Sequence, residues 1–296
     1  MAKIIFFSLL LSAMVLSTSC SEESGEAKIK FDTPQKVSVI DYDGNIMEPF
    51  LSRDGTILFF NNLNSAPEIT NLHWSTRIDD MTFQYEGEIQ NVNTENLEGV
   101  ASMDSNGILY FVSTRSYFQT YSSIYQAVFD NGATTEPSLV EGLSKNQAGW
   151  LNFDVEVDPS GTLLYFVDGT FDENGGPYTA DIVIAKKNGN VFARLSTSSE
   201  TMKNINTDAL EYAACISANG LELYFTRVTP PISTTLLPKI LVATRAANDK
   251  AFGKPYELEE LTGFVEAATI SPDGSRIYYH KNENDKLVLY SAKKQN

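Results

Sequence analysis

The chain has 296 residues, with 22 Lys and Arg against 38 Asp and Glu, for a formal net charge of −16. That charge excludes a basic stripe for neutralising nucleic-acid phosphates and opposes adhesion to an anionic membrane face. An apolar fraction of 42% supplies a sizeable core, while two cysteines and two histidines exclude most zinc architectures and a disulfide-stapled fold.

In chain order, the first predicted element is a targeting segment, residues 1–19. Lys3 supplies a positive start, and residues 4–16 form an apolar run too short for a membrane span. Small residues then lead to Cys20. The pattern resembles a bacterial lipoprotein signal, which implies lipidation of Cys20. Ser17 and Ser19 also suit ordinary signal peptidase, which would leave an exported chain with a free Cys20. Residues 20–29 are expected to be a solvated acidic tether. Their Ser-Glu-Glu-Ser-Gly-Glu stretch is similar to the surface-export signal of Bacteroidetes lipoproteins. The expected location is therefore the outer membrane, facing periplasm or exterior, with no membrane contact beyond the lipid.

Residues 30–296 are predicted to be one domain. A block recurs five times: EPFLSRDGTILFF (48–60), EGVASMDSNGILYFV (98–112), FDVEVDPSGTLLYFV (153–167), EYAACISANGLELYF (211–225) and EAATISPDGSRIYYH (266–280). Its glycines, Gly55, Gly107, Gly161, Gly220 and Gly274, recur at intervals of 52 to 59 residues. A Gly turn between an apolar and an aliphatic-aromatic run predicts a β-hairpin in each copy. A third strand is expected at residues 72–77, 123–129, 181–187, 239–245 and 286–294. A fourth, more polar one is expected near 85–90, 134–140, 191–196 and 252–258. Four antiparallel strands repeated radially make a β-propeller. The fifth copy stops after three strands, but residues 31–37 match residues 252–258 in register. The prediction is an all-β, single five-bladed propeller of four-stranded antiparallel blades, closed by the N-terminal strand.

The blocks ISPDGSRIYYH, LSRDGTILFF and ISANGLELYF, with the following ILVATRAANDKAFGKPYEL, resemble the WD40-like PD40 repeats of TolB-type propellers, in the form found in Bacteroidetes. That resemblance implies a binding platform with no catalytic signature of its own.

Each block carries an acid at or before its first strand: Glu48, Glu98, Asp154, Glu211 and Glu266. In a propeller this strand lines the central channel, so these are the candidate ligand-binding residues. A converging set would suit Ca²⁺ or Mg²⁺, an amine, or sugar hydroxyls; the alternative is that the acids cap strand ends. Trp150 and Tyr212 are the candidate stacking residues, with Phe153 beside them. Trp74 is expected in packing between blades and Cys215 as a buried hydrophobe. His73 and His280 fall in different blades and are not expected to form a site. Loop 168–180 carries Asp168, Asp172 and Glu173 as a candidate cation holder, and the Pro-rich loop 228–238 reads as a stiff connection or partner contact. The function expected is a monomeric, non-catalytic envelope lipoprotein that binds a protein or glycan, with no required cofactor. The alternative is a glycoside hydrolase-like propeller using Glu48, Glu98 and Asp154 or Glu156.

Overall fold

The computed structural model describes residues 28–63, 69–230 and 237–295. The targeting segment, Cys20, most of the acidic tether and the centre of loop 228–238 lie outside them. Among the described residues the only helices are two four-residue turns, Tyr117–Thr120 and Ser198–Thr201, and no helix is long and apolar enough to cross a membrane. The rest is β-structure and connections.

Five repeats are present, each opening on a hairpin. The first strands are Met47–Leu51, Glu98–Met103, Trp150–Val157, Leu210–Ile216 and Val265–Ile270. Their partners are Ile57–Asn61, Ile108–Ser113, Leu163–Asp172, Glu222–Val228 and Arg276–Glu283. The five turn glycines have φ of 71–80°, the left-handed region that a side chain resists. A serine or aspartate three residues before each glycine closes the turn. Asp158, for example, accepts from the amides of Thr162 (2.7 Å) and Leu163 (2.6 Å).

Third strands follow at Leu72–Asp79, Ile124–Asp130, Gly175–Asn188, Lys239–Thr244 and Lys286–Lys293. The outermost strands are the least regular. Thr82–Glu88 and Val191–Arg194 are intact, repeat two has only Ala133–Thr134 and Ser138–Leu139, and repeat four only Tyr256–Glu257. The outer place beside Lys286–Lys293 is taken by Gln35–Lys36, antiparallel, with Gln35 opposite Ser291.

The hydrogen-bonded sheets differ from five separate four-stranded blades. Among the described residues there are four, and none closes on itself. Repeats three and four share one sheet through a parallel bridge from Ala180 to Leu210. Asn206 explains the junction: its Oδ1 accepts from the Ile182 amide (3.0 Å) and its Nδ2 donates to the Ile182 carbonyl (2.9 Å). Repeat one gains a fifth strand, Ser38–Ile40, parallel to Thr82–Glu88.

Among the described residues the core falls into five apolar clusters, each between two repeats. Phe59 and Leu109 belong to the cluster of repeats one and two, and Tyr110 and Phe166 to that of two and three. Val167 and Phe225 join three to four, and Tyr224 and Tyr279 join four to five. Leu58 and Phe60 of repeat one share the fifth cluster with Tyr278 and Leu289 of repeat five. Trp74 packs edge-on against Phe129 between repeats one and two. The first strands also neighbour one another in sequence order, and the fifth neighbours the first.

Candidate functional site at the channel mouth

Every first strand carries a β-bulge where two residues face one on its partner. In four of them a non-glycine residue takes positive φ: Glu48 (47°), Val100 (54°), Ala213 (50°) and Ala267 (54°). Such backbone is strained and persists only where its surroundings hold it. Here the hold comes from the preceding repeat. The bulge amide of Val100 donates to Asn61 Oδ1 (3.1 Å), that of Ala213 to Asp154 Oδ2 (3.0 Å) and that of Ala267 to Thr226 Oγ1 (3.0 Å). The Glu48 amide donates to Nδ1 of His280, in repeat five, at 3.1 Å.

The five repeat-borne acids fall into three groups, because they stand seven, eight or nine residues before their turn glycine. Glu98 and Glu211, at nine, are fully buried in matching frames. Glu98 accepts from the amide (2.8 Å) and hydroxyl (2.8 Å) of Thr94 and pairs with Arg115 at 3.3 Å. Glu211 accepts from the amide (3.1 Å) and hydroxyl (2.6 Å) of Thr207 and pairs with Arg227 at 2.7 Å. Both belong to an Asn-Thr-x-x-Leu-Glu motif, residues 93–98 and 206–211, which sequence reasoning missed although the signal is plain in the chain. Asn93 also clamps Leu72 as Asn206 clamps Ile182. These two acids are spent on joining repeats and do not line the cleft described below.

Glu48 and Asp154, at seven, face the narrow channel between the first strands, together with residues of all five repeats. Asp154 is 2% exposed, and its Oδ1 has no hydrogen-bond partner among the described residues. Burial first, and then the charge of Glu266, push its carboxyl up to about 8 against the pull of the Ala213 amide. Glu266, at eight, accepts from the Tyr212 hydroxyl and lies 3.1 Å from His280 Nε2. Because His280 Nδ1 accepts from Glu48, the proton sits on Nε2 and points at Glu266. His280, expected to stand outside any site, is therefore the buried link between two of the candidate acids. Burial and the nearby carboxylates raise the Tyr212 phenol well above its ordinary value, so it remains a donor.

Above the channel the space opens into a cleft of about 310 Å³. Its polar walls are Glu48, Glu266, Tyr212 and Thr114, and its apolar ones include Phe153, Phe171, Leu151 and Val100. The opposite end of the channel is tied across by Arg53, which donates to Glu156 Oε1 at 2.8 Å. Glu156 also accepts from Ser102 Oγ (2.7 Å) and the Ile216 amide (3.2 Å), so four repeats meet on one carboxylate. Cys215 lies buried beside them, its thiol pushed up to about 12 by burial and Glu156.

Trp150 is not among the cleft walls. Lys145 Nζ sits 3.3 Å from its ring centre and Tyr117 Oη donates to its carbonyl (2.8 Å). Loop 168–180 is a hairpin extension in which two of the candidate residues, Asp168 and Asp172, already have protein partners. Arg194 grips Asp168 with two bonds of 2.7 Å, and Asp172 accepts from the Asn174 amide and Tyr178 Oη. No group of three or more His, Cys, Asp or Glu among the described residues is arranged to hold a metal ion.

No family model matches the sequence, and neither does any curated protein. Solved structures do. A complex of BT0996 with RGII is similar at 11% identity and a TM-score of 0.61, over 90% of this chain and 92% of that one. The catalytic domain of the Coprinopsis cinerea GH62 α-L-arabinofuranosidase is similar at 12% identity and 0.52, over 90% and 97%. A protein from Agrobacterium tumefaciens assigned as TolB is similar at 14% identity and 0.50, over 88% and 79%. The chain spans 55% of the length of TolB from Acinetobacter baumannii. At these identities the likeness is one of fold: an all-β, TolB-like β-propeller architecture shared with glycoside hydrolases.

Proposed function

We propose that this protein is a binding propeller that holds a ligand in the cleft at the channel mouth, without covalent chemistry. The cleft is the observation that carries the reading. It is concave and mostly apolar, with a few convergent polar groups, which is the usual composition of a small-molecule site. Two of the acids that sequence alone groups with it, Glu98 and Glu211, are held by arginines away from the cleft, while Glu48 and Glu266 stand in its wall.

The propeller of this proposal has five blades in a closed ring. Three features support closure. The N-terminal strand Gln35–Lys36 pairs with the last strand, an apolar cluster joins repeat five to repeat one, and the bulge amide of Glu48 is held by His280 as other bulge amides are held by the preceding repeat. We further assign the chain to the PD40-type lipoproteins of an outer membrane, anchored through Cys20, with an envelope glycan or protein as the source of its ligand. A hydrolase remains the second reading, because Asp154 holds its proton at neutral pH near a second carboxyl, Glu266, and acid catalysis uses pairs of carboxyls whose surroundings set their acidities apart.

Calorimetry against a panel of envelope oligosaccharides and small metabolites tests the binding reading. A binder is expected whose affinity falls by about tenfold or more in Thr114→Trp, which fills the cleft. Binding that survives Thr114→Trp contradicts it. New, shorter saccharides by mass spectrometry, lost in Asp154→Asn and in Glu266→Gln, would replace it with the hydrolase reading.

A further inference from the structure

Resting on that reading, we propose that the cleft selects an alkylated ammonium: a cationic head held against its aromatic and acidic end, with the apolar remainder of the ligand along the aliphatic walls. Three independent features converge. The first is charge. Among the described residues, the ionisable groups of the cleft wall are Glu48, Glu266 and Tyr212, with no Lys, Arg or His. The cations of this region are committed elsewhere, Arg115 to Glu98, Arg227 to Glu211, and Arg194 with Lys145 to Asp168. His280 does not neutralise Glu266, because its Nδ1 accepts from a backbone amide and so carries no proton.

The second feature is the aromatic wall. Phe153 stands between Phe171 and Tyr212, with ring centres 5.6 Å and 6.1 Å away and interplanar angles of 86° and 51°. Rings set at an angle to one another beside carboxylates are the arrangement that recognises quaternary ammonium ions, since ring faces attract a weakly hydrated cation that cannot donate hydrogen bonds. A neutral sugar can give its hydroxyls to the carboxylates but brings no charge to offset theirs, which an alkylated ammonium does.

The third is Asp154. Its Oδ1 is buried, without a hydrogen-bond partner among the described residues, and open to the channel directly below the cleft, where Glu48 and Val100 line both spaces. Burial and Glu266 keep this acid protonated when the cleft is empty. A cation seated above it offsets the cost of ionising it, so binding and loss of that proton favour each other.

The test uses choline chloride and its neutral isostere 3,3-dimethylbutan-1-ol, titrated into the purified protein at low and at physiological ionic strength, with a neutral oligosaccharide as a third arm. Choline is expected to bind, the isostere about tenfold or more weakly, and added salt to weaken choline alone. Phe153→Leu and Glu266→Gln are each expected to weaken choline several-fold while leaving the circular dichroism spectrum unchanged, and Thr114→Trp to block it without touching either group. Equal binding of choline and the isostere overturns the cationic selection. So does binding of the oligosaccharide alone, and in both cases the cleft remains the binding site. Absence of binding in all three arms, together with a silent wider panel, removes the cleft reading as well.

Discussion

Replacing Arg53 with methionine is expected to lower the free energy of unfolding by about 3–5 kcal/mol, the cost of leaving a buried charge without its partner. Arg53 sits in the hairpin turn of repeat one and crosses the channel floor to Glu156 of repeat three. Both side chains are nearly buried, so water cannot replace the lost guanidinium. Glu156 would keep only Ser102 Oγ and the Ile216 amide. The cation also lies over the Phe50 ring, 4.9 Å from its centre, and that contact is lost too. Urea unfolding of the single and double variants separates these terms. Arg53→Met with Glu156→Gln should recover about half of the loss or more, because glutamine keeps an oxygen for the Ile216 amide, can turn its amide nitrogen to Ser102 Oγ as a donor, and carries no charge. A loss below about 1 kcal/mol for Arg53→Met would show that the clamp is not a structural element of the ring.

The second large effect is a dependence of stability on pH that resides in Asp154. Its carboxyl titrates near 8 when folded, raised mainly by burial, against about 3.9 in an unfolded chain. The folded state therefore holds this proton more tightly than the unfolded state. Its stabilising contribution is complete below about pH 4, declines as pH rises, and is gone above about pH 8. Asp154→Asn keeps an acceptor for the Ala213 amide and removes the titration. The variant should gain on the natural protein by on the order of 3 kcal/mol between pH 5 and pH 9, read from denaturant midpoints across that range. Parallel pH profiles for the two proteins would contradict the assignment.

The hairpins and their order were legible because their chemistry is local. A glycine at positive φ, a serine or aspartate closing the turn, and an aliphatic-aromatic run all lie within about a dozen residues of one another. The partition of the acids was harder to see. Glu48, Glu98 and Glu266 look equivalent in the sequence blocks, yet offsets of seven, nine and eight from the turn place them in the channel, in a buried arginine frame and in the cleft wall. The bulge separates them, and its positive-φ positions carry Glu, Val and Ala rather than glycine, so composition gives no warning. The partners that hold those bulges come from a neighbouring repeat: Asp154 is 59 residues from Ala213, and His280 is 232 from Glu48. For that reason His280 reads as an isolated core histidine until the ends of the chain are brought together. The Asn-Thr-x-x-Leu-Glu motif was accessible from sequence, and a repeat search extended back across the connections would have separated Glu98 and Glu211 from the rest.

The most direct measurement is an NMR titration of the protein carrying ¹³C-labelled Phe and Tyr rings with choline. Saturable shifts are expected at Phe153, Phe171 and Tyr212, the rings that wall the cleft. None are expected at Phe118 or Tyr178, which are 85% and 53% exposed and stand outside the cleft walls. Shifts confined to Phe118 and Tyr178, with the cleft rings unmoved, would place recognition on the outer surface and contradict the cleft as the working site.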